Sequence, residues 1–326
     1  MAACGSPVVI DLSSAPAGSP PMPTIRSIAG ICEVRLLRGA SATEGAPPDL
    51  LIEVPHGATR ARHYDALRAE LRGTFPDNLE AFFHVNTDAG APEIAWALAQ
   101  TLVAAEPGRS VLVVTSEIPR TFIDCNRMLD ASPEDFRAGG VTPGLPPYVR
   151  DEHDRRLLRE RHAAYVEATA AAYAAVCDAG GLAVMAHTYA PRSVDVEVDD
   201  QIVASLRRAY APAVEPTWLL RPQIDLIARD PEGRILSEAL VERVAAAFRA
   251  DGFEPALGAT YPLHPSTIAF HRAQRYQPRA LCLEVRRDLI TDGFVPFVEV
   301  VPSPAKIARV VAPLARALRE TWAADR

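Results

Sequence analysis

The chain has 326 residues, 48% of them hydrophobic, which is enough to bury the core of one large α/β domain. A net charge of -7, with no basic cluster interleaved with aromatics, argues against nucleic acid as a partner. No apolar run approaches the roughly 20 residues that a membrane-spanning helix needs. The cysteines (Cys4, Cys32, Cys125, Cys177 and Cys282) are scattered, without a C-x-x-C pair, so neither a disulfide framework nor a thiolate metal site is indicated. A cytoplasmic protein, not bound to membrane, is the expectation.

Residues 1–25 are rich in Pro, Ser, Gly and Ala and lack the basic start and apolar core of a signal peptide, so they read as a mobile leader. Residues 26–326 read as a single domain. From about Ile31, short β-branched runs alternate with Ala/Arg/Leu-rich segments at helical spacing. That pattern predicts an α/β fold: a mixed, largely parallel sheet flanked by helices. Strands are expected over 50–55, 80–84, 110–115, 182–187, 223–228, 254–259 and 279–286. Helices are expected over 91–105, 149–178, 200–209, 236–251 and 304–323, with Pro92 suited to a first turn and Gly180-Gly181 ending the long helix. Two excursions, about 129–148 and 189–222, have the length of lids or substrate walls.

Polar residues stand where several apolar runs stop. His56 follows Leu51-Ile52-Glu53-Val54-Pro55, His187 follows Leu182-Ala183-Val184-Met185-Ala186, and Glu284 lies inside Ala280-Leu281-Cys282-Leu283-Glu284-Val285. Reacting groups gather beyond the carboxyl ends of strands in open α/β sheets, and two imidazoles with a carboxylate suit a hydrolytic metal site. Taken alone, each histidine reads first as a capped or solvated side chain; it is their pairing that favours the metal site. Asp88, in Asn86-Thr87-Asp88-Ala89-Gly90, is either a third ligand or a helix cap, with His84 and Glu93 as rivals. Arg127 suits a bidentate clamp on a substrate carboxylate or a structural ion pair with Asp124, and Arg120 is its nearest competitor. Glu284 is a carboxylate in an apolar strand, costly unless paired or used; Glu53 and Asp225 share that property.

Taken in order, Pro55-His56-Gly57, Asn86-Thr87-Asp88, Ile123-Asp124-Cys125-Asn126-Arg127, Ala186-His187-Thr188, Tyr261-Pro262 and Leu283-Glu284-Val285-Arg286-Arg287-Asp288-Leu289 resemble blocks of the N-formylglutamate amidohydrolases. The resemblance runs from about residue 50 to about 295. It implies a zinc-carboxypeptidase-like fold and one Zn²⁺, or another divalent ion, held by His56, Asp88 and His187. It further implies Glu284 as general base, Arg127 as a catalytic and, with Asn126, carboxylate-binding residue, and Tyr261, His264 and His271 as substrate contacts. The implied reaction is hydrolysis of a linear amide in an N-acyl amino acid or a peptide with a free carboxylate. A pathway-specific or carboxypeptidase-like deacylase and a non-catalytic relative are the alternatives. Departures from the family pattern at Asn86, Ala89 and Cys282 fall on the substrate side and point to a reshaped acyl pocket.

Overall fold

A seven-stranded sheet organises the chain, and in the computed structural model, which describes residues 25–324, it runs in the order β1-β3-β2-β4-β7-β5-β6. The strands are β1 (Cys32–Arg38), β2 (Leu50–Val54), β3 (Ser110–Ser116), β4 (Leu182–Tyr189), β5 (Ile224–Leu226), β6 (Pro255–Leu257) and β7 (Ala280–Arg286). The middle of the sheet, β3-β2-β4-β7, is parallel; β1 joins β3 and β5 joins β7 antiparallel. Every residue of β2 and β4 is buried, as expected of central parallel strands covered on both faces. The expected mixed, largely parallel sheet is therefore what forms. The leader expected over 1–25 lies, apart from buried Ile25, outside the described residues.

The helices are α1 (Ala61–Arg68), α2 (Leu79–Asn86), α3 (Ala91–Ala105), α4 (Pro133–Ala138), α5 (Glu152–Cys177), α6 (Ile202–Ala209), α7 (Glu238–Ala250), α8 (Ile268–Tyr276) and α9 (Pro304–Ala324). One face of the sheet, carrying Leu50, Ile52, Val54, Val184 and Leu283, packs on α3, α7 and α9. The opposite face, carrying Leu51, Leu112, Val114 and Ala183, packs on α5, α1, α2 and α6. Local signals fix the helix starts: Asp151 accepts from the Asp154 N–H at 3.1 Å before α5, and Thr267 from the Phe270 N–H at 3.2 Å before α8.

Two strands differ from expectation, and α1, α4 and α8 are helices beyond the expected set. Residues 80–84 form part of α2 and not a strand, because Leu79, Phe82 and Phe83 bury at helical spacing, with Phe83 against Tyr64. An apolar run this short has no period of its own that would decide the matter. β1 has no counterpart in the expected strands: it is an edge strand whose Glu33, Arg35 and Arg38 interrupt the apolar signal.

Glu53 is fully buried on the α5 face of β2, where Oε1 accepts from the Tyr165 hydroxyl at 2.9 Å and Oε2 has no hydrogen-bond partner. Burial raises its pKa against the opposing pull of Arg272. The folded state thus holds this proton to higher pH than the unfolded chain, whose glutamates titrate at about 4.3. The stability tied to the protonated form is complete below that value and is lost as pH rises through the folded one. Glu53→Gln is expected to raise the melting temperature above wild type at pH 8, with the difference closing towards pH 4; a difference independent of pH, followed by scanning calorimetry, would count against a protonated Glu53.

Candidate active site

At the carboxyl ends of β2, β4 and β7 the sheet opens into a cavity of about 290 Å³, bordered by His56, Asp88, Asn126, Arg127, His187, Tyr261 and Glu284. His56 stands two residues past β2, on a turn that only glycine can follow: a β-carbon on Gly57 would lie 2.2 Å from Thr115 Cγ2. His187 and Glu284 are direct partners in the parallel register of β4 and β7, so their side chains share one face of the sheet. Asp88 arrives from the segment between α2 and α3, which turns at Gly90 with φ of +92°.

The two imidazoles converge on a single oxygen. His56 Nδ1 lies 3.2 Å and His187 Nδ1 2.8 Å from Asp88 Oδ2, and the three side chains are almost inaccessible to solvent. Their ligand-type atoms all lie within 4.8 Å of one another, the single group of this kind among the described residues. Burial alone would raise the Asp88 carboxyl, but the imidazoles hold it far below its ordinary range. On its other side, His56 Nε2 is 2.7 Å from Asp124 Oδ1. Arg127 and Arg120 keep Asp124 ionised despite its burial, so it accepts the Nε2–H and leaves His56 Nδ1 as the face turned to Asp88. A carboxylate behind an imidazole in this way sets the tautomer of metal-binding histidines. The donor set, two nitrogens and one carboxylate oxygen, therefore fits a divalent ion with coordination positions to spare.

Glu284 Oε2 is buried without a hydrogen-bond partner, and burial pushes the carboxyl up to about 7 against the pull of His187. Arg127 and Asn126 both border the cavity, but much of Arg127 is engaged: Nε donates to the Thr142 carbonyl at 3.1 Å, Nη1 to that of Asn126 at 3.3 Å, and Nη2 lies 3.4 Å from Asp124. Asn126 Oδ1 accepts from the Ala269 N–H at 2.8 Å. The Asp124–Arg127 pair and the open cavity face thus coexist. Arg120 reaches Asp124 at 2.9 Å.

Some expected contacts are not made. His271 is exposed on α8, bonded to the Pro265 carbonyl at 2.9 Å, and His264 turns to Ser266 Oγ at 3.0 Å beside Gly139; neither borders the cavity. Both belong to a segment whose Tyr261, Leu263 and Thr267 do reach the cavity, so nearness in sequence overstated them. The rivals to Asp88 are also elsewhere: His84 faces Glu80 at 3.6 Å and Glu93 pairs with Arg60. Ala89 is buried but not in the cavity wall, whereas Asn86 and Cys282 are in it. Sequence reasoning gave no role to Arg221, from the 189–222 excursion, or to Tyr189, the last residue of β4; both border the site. The excursion over 129–148 contributes Gly140, Val141 and Thr142.

A parallel sheet with a polar cavity at its strand ends, holding a His–Asp–His cluster beside an unpartnered carboxylate, defines an α/β enzyme of hydrolytic type. The chain belongs to the N-formylglutamate amidohydrolase family, whose sequence profile matches residues 48–291. A structure of an N-formylglutamate amidohydrolase from Ralstonia eutropha JMP134 is similar in fold, with a TM-score of 0.53, 19% identity and coverage of 88% of this chain and 99% of that one. The gene product Atu2144 from Agrobacterium tumefaciens is similar at 0.54 and 14%, over 90% and 95% of the two chains. A metallo-carboxypeptidase from Burkholderia cenocepacia overlaps more loosely, at 0.38 and 12%, over 98% and 66%. No curated protein sequence matches. Among the described residues, no helix is long and apolar enough to cross a membrane.

Arg287 fixes the Asp88 segment in place. Buried, it donates to the carbonyls of Val85 (2.7 Å) and Thr87 and reaches Thr188, whose hydroxyl in turn donates to the Ala89 carbonyl at 2.9 Å. Arg287→Met removes these donors without removing bulk. It is expected to cost about 3 kcal/mol of stability, the scale for leaving buried acceptors unmet, and to speed amide hydrogen exchange at Thr87–Gly90 selectively. Uniform acceleration across the sheet would show that Arg287 supports the fold at large and not this segment.

Proposed function

We propose that the protein is a metal-dependent amidohydrolase that cleaves the linear amide of an N-acyl amino acid, or of a related substrate bearing a carboxylate. The observation that carries this reading is the convergence of His56 and His187 on Asp88 with Glu284 next to His187 in register and its buried oxygen unpartnered. Zn²⁺ is the preferred ion for two imidazoles and a carboxylate, although the same donors hold other divalent ions. When bound there, such an ion supplies Lewis acidity towards a carbonyl oxygen and acidifies water.

The rest of the chemistry falls to the chain. Glu284 takes a proton from the attacking water and delivers it to the leaving nitrogen; its raised affinity for protons suits a group that must hold one between those events. Asp124 holds the His56 ring in orientation and accepts its Nε2–H. Arg127 and Asn126, carried by the segment after β3, border the substrate's path and contribute their remaining polar hydrogens. The cavity walls exclude bulk water from an amide seated between them. The four described cysteines are free and buried, which supports a reducing, cytoplasmic setting.

Elemental mass spectrometry of purified wild type and a His56→Ala, His187→Ala double variant tests the metal. Near-stoichiometric zinc is expected in the first and little in the second; equal, low metal in both would refute metal dependence. Asp124→Asn is expected to keep the fold and weaken zinc affinity about 10- to 100-fold, the usual cost of losing such a carboxylate, as read by competition with a chromophoric chelator. Glu284→Gln is expected to lower kcat by on the order of 10²-fold or more with metal retained; full turnover in that variant would assign the proton transfers elsewhere.

A further inference from the structure

We infer that this cavity is shaped for an N-acyl amino acid whose acyl chain is apolar and several carbons long, the chain lying against a wall formed by α2 and α6 and the carboxylate held by Arg221. The inference rests on the amidohydrolase reading for the direction in which the substrate lies. It goes beyond that reading in naming both halves of the substrate.

The wall is largely apolar, with Asp195 its one acidic member. Phe82 and Val85 of α2 and Ile202 and Leu206 of α6 border the cavity, all buried in the larger core. Val194, Val196 and Val198 extend it: in this stretch the valines are half-buried against the core while Asp195 and Glu197 between them are exposed. Asn86, the polar residue at its base, has its carbonyl oxygen taken by the Thr121 hydroxyl at 2.8 Å. A formyl group offers such a wall a single carbon. A longer chain would transfer one methylene after another from water to apolar surface, each worth about a fourfold gain in affinity.

The opposite flank is cationic and prepared. Arg221 is fixed by its backbone, its N–H donating to the Pro191 carbonyl at 2.9 Å and its carbonyl accepting from Arg286 Nη1 at 2.6 Å. Its guanidinium lies over the rings of Tyr189 (5.1 Å) and Tyr261 (5.7 Å), and Nη2 donates to the Tyr261 hydroxyl at 2.9 Å. Asp225 anchors that tyrosine's segment by accepting from the N–H groups of Ala259 and Thr260 at 3.1 and 2.8 Å. Arg127 and Arg287 give their guanidiniums largely to carbonyls, and Arg120 gives its Nε to Asp124. Arg221 also donates through Nη1 to the Ala190 carbonyl at 3.4 Å, but its Nε is buried with no partner, the one such guanidinium nitrogen among the described arginines that border the cavity.

Direction follows from the proton. The leaving nitrogen must face Glu284, so the amino-acid half lies towards β5, next to β7 in the sheet, where Arg221 enters the strand. The acyl half then points towards Asp88 and Arg120, the side on which α2 stands.

The test is calorimetric binding to Glu284→Gln protein of N-formyl-, N-acetyl-, N-butanoyl- and N-hexanoyl-L-alanine, with N-hexanoyl-L-alaninamide as the carboxylate-free control. Affinity is expected to rise about fourfold per methylene. Val198→Phe at the half-buried rim and Leu206→Trp within the wall are each expected to abolish that rise while leaving N-acetyl binding within about twofold. Arg221→Met is expected to weaken the hexanoyl acid at least about tenfold, as for loss of a charged hydrogen bond, and to leave the amide unchanged, with Arg221→Lys restoring part of the loss. A flat chain-length series, tightest binding of the formyl compound, or an Arg221→Met loss shared equally by acid and amide would overturn the inference. Binding is read without turnover: a chain-length gradient in a protein that hydrolyses none of these compounds in wild-type form refutes the amidohydrolase reading alone, whereas hydrolysis with no gradient refutes the inference alone.

Discussion

Everything at the strand ends is arranged around one oxygen atom. Asp88 Oδ2 takes two imidazoles in a place that water barely reaches, and a buried carboxylate is tolerable only where its charge is answered. The answer is distributed: His187 comes from β4, His56 from the turn after β2, Arg120 from the segment after β3 at 3.8 Å, and Arg287, from beyond β7, holds the backbone on which Asp88 rides. Two of these groups are also committed elsewhere, His56 and Arg120 both to the Asp124 carboxylate. Geometry at the site is therefore set jointly by four neighbouring parallel strands, and their register is what makes the cluster reproducible.

The sheet gives that register its rigidity. β2 and β4 are buried on both faces, so a slip of one residue would exchange the α5-facing set, with Glu53 and His187 in it, for the opposite set, apolar but for Thr188. The same alternation separates tasks. One face carries Leu50, Ile52, Val54, Val184 and Leu283 into the helix layer of α3, α7 and α9, and the other carries the reactive groups upward past Met185 and Cys282.

How much of this was legible in the sequence depended on whether the signal was local. His56, His187 and Glu284 were visible because a polar residue ending or interrupting an apolar run is a local event, and Asp88 because it precedes Gly90 and a helix opening with Pro92. The central strands and long helices were visible for the same reason. Residues 80–84 were misassigned because five residues of mixed apolar character fit either period, and tertiary packing on Tyr64 decided the matter. Arg221 carries no local mark: it lies in an irregular excursion and gains its meaning from the Tyr189 ring beneath it and from Tyr261, to whose hydroxyl it donates at 2.9 Å, contacts made across the fold. His264 and His271 show the converse, residue types rich in chemical promise that the chain turns away from the cavity.

Two glycines bracket the cluster, and neither has room for a β-carbon: Gly57 would meet Thr115 Cγ2 and Gly90 would meet Ile290 Cδ1, each at 2.2 Å. The turn behind His56 is thus closed to substitution by volume, with the backbone oxygens of Ser116 and Val54 close behind, and the turn behind Asp88 by its φ of +92°, since Ile290 Cδ1 is the movable end of a side chain. The half-buried valines of 194–198 are under no such restriction, and none of them has a positive φ. A change of residue that alters the fit of a bound molecule without disturbing the reactive end therefore has most latitude in those valines and least in the two turns.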